Sequence, residues 1–233
     1  MENLNYDEAN IKDLLKQGSH LRIMTDFLLE KKNPKILELG VERGSSTKAF
    51  VWFAGKMQGK VFSVDIEDCS KVVSSENWKF IQSNDLNVDY ILKSFKEISD
   101  EGVDLIYVDS YHENFHVMKL LNLWFKYLKK DGMIFIDDVD SYPFRKNKDI
   151  WNSIVYDLTD EAIQEFYYNN IEKVTYTKHY GENGLAAIKK LTNLYDNPNP
   201  VKKIWKYNFF IKLIYPYLRK IKKILRKIKK IFK

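Results

Sequence analysis

The residues best equipped for chemistry in this chain of 233 residues fall in short acidic and glycine-bearing clusters. The first is Glu38-Leu39-Gly40-Val41-Glu42-Arg43-Gly44-Ser45-Ser46. Glycine is required where the backbone turns sharply and a ligand comes within contact distance. A helix beginning just past Gly44 offers free N–H groups, with Ser45, Ser46 and Thr47 as further donors. A dinucleotide-binding loop would carry glycine at positions 40, 42 and 45, where this chain has Gly40, Glu42 and Ser45. The pyrophosphate reading therefore fails. An acidic loop repels phosphates and suits a ligand carrying an ammonium and a sulfonium. Asp65 follows, a carboxylate able to accept hydrogen bonds from both hydroxyls of a ribose. Next comes Gln82-Ser83-Asn84-Asp85, whose amide or carboxylate can read an adenine amino group. Further along stand Asp109-Ser110-Tyr111-His112 and Asp137-Asp138. Three carboxylates in one pocket repel one another unless a proton or a cation intervenes. Oxygen-only donors favour Mg²⁺ or a similar hard cation.

Each cluster has a plainer reading. A lone Gly-x-x-x-Gly is ordinarily a tight turn, and a strand-end Asp is ordinarily a helix cap. Asp137-Asp138 can cap the segment that follows, and Asp109 can contact a ligand amino group with no metal. An isolated His112 would start a helix, and His116 one turn on can be a second pocket group or merely surface. His20 and His179 have no partner visible in sequence. The clusters gain weight from the elements that must position them. Short apolar runs predict strands at Lys35–Leu39, Lys60–Val64, Trp78–Gln82, Val103–Val108 and Met133–Ile136. Between them amphipathic stretches predict helices near 45–57, 69–75, 87–98 and 113–129. That alternation is the pattern of a parallel sheet covered on both faces, and ligands of such sheets bind at the C-terminal strand ends, where the clusters lie. After Asp138 a helix over 148–168 is expected, then strands Ile171–Lys178 and Gly184–Lys190 joined as a hairpin. Five βα units and a hairpin differ from a two-halved dinucleotide fold. Tyr142, Phe144 and Arg145 lie in a loop placed to cover an acceptor.

The order Glu-x-Gly-x-x-x-Gly-x-Ser, then Asp65, Asn84-Asp85 and Val-Asp-x-x-His, resembles the class I S-adenosylmethionine-dependent methyltransferases. Within them the chain is similar to the macrolide-sugar O-methyltransferases and cephalosporin-hydroxylase-type proteins over roughly residues 20 to 190. Ser83-Asn84 departs from the Gly-Asp often found there. The resemblance implies an α/β, Rossmann-like fold: a seven-stranded sheet, parallel except for its last strand, with N-terminal helices. It implies that Glu38, Gly40, Gly44, Ser45 and Ser46 hold the methionine part of S-adenosylmethionine, Asp65 the ribose, and Asn84 or Asp85 the adenine, with Asp109 also near the cofactor. It further implies a divalent metal, Mg²⁺ or similar, on Asp109, Asp137 and Asp138, and His112 as the base for a substrate hydroxyl the metal orients. The expected activity is O-methylation of a sugar or other polar acceptor. The alternatives are the same transfer without metal and a non-catalytic, membrane-tethered adenosylmethionine-binding scaffold.

Charge divides the chain. The stretch 202–233 holds thirteen Lys or Arg and no Asp or Glu, while the other 201 residues hold 25 basic and 32 acidic groups, a net of −7. An acidic body offers no basic groove for nucleic acid. One cysteine, Cys69, excludes an internal disulfide framework and fits a reducing compartment. The N-terminal stretch MENLNYDEAN lacks the basic and apolar pattern of a secretory signal. Three regions are expected: a helical cap over 1–33, broken at Gly18-Ser19; a methyltransferase domain over 34–195; and a basic tail over 201–233. In the tail Leu218, Ile221, Ile224/Leu225, Ile228 and Ile231/Phe232 form an apolar stripe at helical spacing, flanked by Lys and Arg, with aromatics from Trp205 to Tyr217 upstream. It is too narrow and charged to span a bilayer and reads as an in-plane helix on an anionic membrane surface. The same stripe fits a groove on another protein or a second subunit of a homo-oligomer. The expected location is cytoplasmic, at the inner face of a membrane, where a lipid-linked or capsular glycan intermediate would be the acceptor.

Overall fold

The computed structural model describes residues 11, 13–140 and 150–203, with 214, 217, 221 and 225 in the C-terminal stretch. The chain divides into two compact units, Met1–Val201 and Lys202–Lys233. In the first unit the elements run α1 (His20–Leu28), β1 (Lys35–Leu39), α2 (Ser45–Lys56), β2 (Lys60–Asp65), β3 (Trp78–Gln82), α3 (Val88–Ser94), α4 (Lys96–Glu101) and β4 (Val103–Val108). They continue with α5 (Asn114–Trp124), a 3₁₀ turn (Phe125–Tyr127), β5 (Leu128–Ile136), α6 (Ile150–Asn169), β6 (Val174–His179) and β7 (Leu185–Lys190).

The seven strands form one sheet in the order β3-β2-β1-β4-β5-β7-β6. β1 to β5 are mutually parallel, and β7 runs antiparallel to both β5 and β6. The order reverses beside β1, whose neighbours are β2 and β4, so a crevice opens between the tips of β1 and β4. Alternation along the strands fills both faces with apolar side chains, as a sheet covered on both sides requires. Leu37, Leu39, Phe62, Val64, Ile106 and Val108 pack with residues of α3, α5 and α6 on one face. Ile36, Val61, Leu105, Tyr107 and Phe135 pack with Met24 and Leu28 of α1 and Phe50 and Phe53 of α2 on the other.

Some expected boundaries shift, among them the helix expected over 87–98, which divides into α3 and α4, and the strand expected from Ile171, which starts at Val174. No helix forms over 69–75; that stretch is turns and bends. There Asp68 accepts a hydrogen bond from the Ser70 N–H at 3.0 Å, a bond of the helix-capping kind, but no helix continues from it. The helix expected over 113–129 ends at Trp124, and β5 begins at Leu128 rather than Met133. Lys129, Lys130 and Asp131 hid that start, because a register shift opposite Val103/Leu105 breaks the two-residue alternation there. Tyr142, Phe144 and Arg145 lie outside the described residues, as do most residues of the expected tail stripe.

Candidate active site

At the C-terminal edge of the sheet a cavity of about 1120 Å³ takes in most of the singled-out residues. Gly40, Ser45 and Ser46 line it from the β1–α2 loop, Asp65 from the tip of β2, and Asn84 and Asp85 from beyond β3. Asp109 and His112 line it from beyond β4, and Asp137 and Asp138 from the end of β5. Glu38 and Gly44 do not line it.

The glycine loop passes very close to β4. A Cβ on Gly40, which sits at φ +103°, would lie 2.2 Å from the Asp109 carbonyl oxygen, so only glycine lets the two strand ends converge. Gly44 caps α2 with φ 73°. Glu38 acts behind the cavity wall. It is fully buried, with Oε1 accepting from the Ser46 hydroxyl at 2.6 Å and Oε2 from the Thr47 and Ser63 hydroxyls at 2.8 and 2.6 Å. These bonds lash the first turn of α2 to the sheet. Burial pushes the Glu38 carboxyl up to about 7 despite the three donors.

Asp65 Oδ2 accepts from the N–H groups of Val41 and Glu42 at 2.7 and 3.1 Å, and Oδ1 from the Glu67 N–H at 2.9 Å. It thus sets the loop's backbone while remaining at the cavity. Asn84 Oδ1 is taken by the Leu86 N–H at 2.9 Å, which closes a turn. Asp85 Oδ2 accepts from the Ser110 hydroxyl at 2.6 Å and contacts His116 Nε2 at 3.0 Å. His116 is therefore a buried partner of Asp85 and not a surface group.

The acidic cluster is tied by residues that had no assigned role. Tyr107, buried on β4, places its hydroxyl 2.9 Å from Asp137 Oδ2 and 3.1 Å from Asp109 Oδ2. A phenol carries one hydrogen, so it cannot satisfy both carboxylates fully. Burial and the two acids hold its ionisation well above the ordinary tyrosine range. His20 of α1 reaches across the fold, with Nδ1 2.9 Å from Asp137 Oδ1 and Nε2 3.2 Å from the Gly181 carbonyl oxygen. Both ring nitrogens face acceptors, which only the imidazolium satisfies. Burial works against that charge, but Asp137 and Glu182, the latter 3.4 Å away, outweigh it and raise the His20 pKa. Asp137 is held below the usual carboxylate range: its burial is overcome by His20, Tyr107 and the Asp138 N–H. Asp138, at φ 57°, is pushed up by burial and by Asp137's charge, with His112 opposing.

His112 Nε2 lies 3.3 Å from Asp109 Oδ1 and 3.9 Å from Asp138 Oδ2. Its burial is outweighed by the Asp109 hydrogen bond and by the charges of Asp138, Asp109 and Asp137, so its pKa rises. Its Nδ1 is buried and has no hydrogen-bond partner among the described residues, so Nε2 is the ring nitrogen that meets the acids. Thr159 of α6 donates to the His112 carbonyl oxygen at 3.1 Å and anchors that turn.

In donor type the trio Asp109, Asp137 and Asp138 suits a hard divalent cation. Among the described residues, however, no three His, Cys, Asp or Glu side chains are grouped closely enough to ligate one ion. Asp137 in particular turns one oxygen to His20 and the other to Tyr107.

Residues 37–139 match a family described as a methyltransferase domain. No curated protein matches the sequence significantly. Among solved structures the chain is similar to MycE methyltransferase from the mycinamycin biosynthetic pathway, in complex with Mg, SAH and mycinamycin VI. The TM-score is 0.53 at 18% identity, covering 80% of this chain and 50% of that one. This chain thus spans about half the length of that protein. It is also similar to the SAH-bound Podospora anserina methyltransferase PaMTH1, with TM-score 0.55, 17% identity, and coverage of 81% and 83% of the two chains. A third similarity is to CalS11, a TDP-rhamnose 3'-O-methyltransferase of calicheamicin biosynthesis, with TM-score 0.55, 12% identity, and coverage of 81% and 88%. The matched stretch, the strand order and the cavity at the switch point together give this chain a methyltransferase-domain match on a Rossmann-like methyltransferase fold.

Proposed function

We propose that the chain transfers a methyl group from S-adenosylmethionine to a hydroxyl of a sugar or similar polar acceptor, with His112 as general base. The observation carrying this reading is that the cofactor loop and the Asp109–His112 pair line one cavity. The sulfonium and the base then face the same acceptor. In this reading Ser45 and Ser46 meet the methionine end, Asp65 the ribose, and Asp85 the adenine. Asp85 suits that task because Ser110 and His116 both hold Oδ2, and Oδ1 stays available for the 6-amino group. The O-methyltransferase neighbours, among them one acting on a TDP-sugar and one bound to Mg, support a sugar acceptor.

Methyl transfer is an in-line displacement on a carbon already activated by its sulfonium, so alignment carries much of the rate. With the acceptor hydroxyl replacing Asp109 at Nε2, neutral His112 takes the acceptor's proton there, and the nearby charges of Asp109 and Asp138 stabilise the imidazolium that forms. His20 and Tyr107 hold Asp137 ionised and fixed beside them. A divalent cation, were Asp109 and Asp138 to hold one, would supply Lewis acidity at the acceptor oxygen.

A screen of sugar nucleotides and other hydroxylated acceptors with methyl-labelled S-adenosylmethionine, before and after chelation and Mg²⁺ addition, tests the reading. We expect His112→Ala to lower kcat about 10²–10⁴-fold with cofactor affinity unchanged. Wild-type turnover in that variant would remove His112 from the mechanism.

A further inference from the structure

The methyltransferase reading leaves the second compact unit, Lys202–Lys233, without a task. Beyond Lys203 four of its residues are described: Ile214, Tyr217, Ile221 and Leu225. Each is helical, and each is exposed, with 46, 68, 52 and 56% of its surface accessible. Their spacings of three, four and four residues place them on one side of a helix, which turns about 100° per residue. Two of them, Ile221 and Leu225, belong to the stripe read from the sequence; the other two extend it upstream. Large apolar side chains aligned on one face and left in water mark a surface that meets something apolar.

Charge decides what that is. The unit carries thirteen Lys or Arg and no Asp or Glu. A purely apolar partner would gain nothing from that excess, and a polyanion such as RNA would gain nothing from the stripe. An anionic lipid surface rewards both, because headgroups attract the cations while the upper acyl region takes the apolar face. No helix among the described residues is long and apolar enough to cross a membrane.

From this combination we infer that Lys202–Lys233 docks the chain on an anionic membrane surface. Ile214, Tyr217, Ile221 and Leu225 enter the headgroup–acyl boundary, and the Lys and Arg side chains lie against the lipid phosphates. The inference is independent of the acceptor and of His112, because its readout is lipid binding.

The test is flotation of the full-length chain with vesicles of pure phosphatidylcholine and of phosphatidylcholine mixed with phosphatidylglycerol. Binding is expected only to the mixed vesicles and should weaken as salt is raised. The double variant Ile221→Ser/Leu225→Ser keeps every cation, and we expect it to partition at least about tenfold less, with S-adenosylhomocysteine affinity unchanged as the control for folding. Equal binding to both vesicle types would overturn the inference, as would no binding to either. Wild-type partitioning of the double variant would also overturn it, since the stripe would then play no part. So would duplex RNA that displaces the chain from vesicles equally well in both proteins, since that assigns the unit to nucleic acid.

Discussion

Burial strips Glu38 of water and pushes its carboxyl up to about 7, while the Ser46, Thr47 and Ser63 hydroxyls hold both oxygens. The residue shapes the cofactor loop from behind, so its protonation bears on stability. An acid whose folded pKa is raised keeps its proton in the native state after the unfolded chain, near the ordinary 4.5, has lost it. The folded state then binds more protons than the unfolded one, and stability falls as pH rises from about 4.5 to about 7. Denaturant titrations across that window should show wild-type unfolding free energy declining by up to about 1.4 kcal/mol per pH unit relative to Glu38→Gln. Parallel profiles for the two proteins would show that Glu38 carries no such shift. The spacing of Glu38 from Gly40 and Gly44 was legible as a loop signature. Its retreat from the cavity was not, because Ser63 meets it only once β1 and β2 pair, with Glu38 opposite Ser63 in register.

At the scale of elements, the site depends on how closely the tips of β1 and β4 approach. Gly40 governs that approach: its φ of +103° disfavours any side chain, and a Cβ would stand 2.2 Å from the Asp109 carbonyl oxygen. Gly40→Ala is therefore expected to cost about 1–3 kcal/mol from backbone strain alone. It should also weaken S-adenosylhomocysteine binding at least tenfold by forcing Asp109 away, as calorimetry would read. An alanine variant with unchanged affinity would mean the two strand ends can separate without affecting the site. The strands themselves were readable because parallel strands buried on both faces are short, continuous apolar runs. Helix 69–75 was misread for the opposite reason. Its apolar residues Cys69, Val72 and Val73 follow helical spacing, but over less than two turns, too short a stretch to hold a helix by itself. Docking of α1 on the sheet escaped the sequence altogether, since His20 meets Asp137 across 117 residues.

For the whole molecule, the cavity at the sheet's edge draws walls from five strand ends and from α1. A cofactor seated there binds the folded chain and not the unfolded one. S-adenosylhomocysteine at about a hundred times its Kd should stabilise the unit Met1–Val201 by about 2.7 kcal/mol, visible as a raised midpoint in thermal unfolding. No rise would mean the cavity is not the cofactor's. The chain's charge is likewise a whole-molecule property, since its net +6 joins a body of −7 to the C-terminal cations.

The sequence by itself determined the order of the strands, the glycine loop that excludes a pyrophosphate, the positions of the acids at strand ends, and the split in charge. All of these are local signals, written in spacing, turn residues and composition. The tertiary structure decided which acids stay at the cavity and which withdraw, and it placed the Tyr107 hydroxyl between Asp109 and Asp137. It also brought His20 to the acidic cluster as its buried counter-charge. Those outcomes depend on burial and on partners distant in the chain, and neither exists until the sheet has closed under its helices.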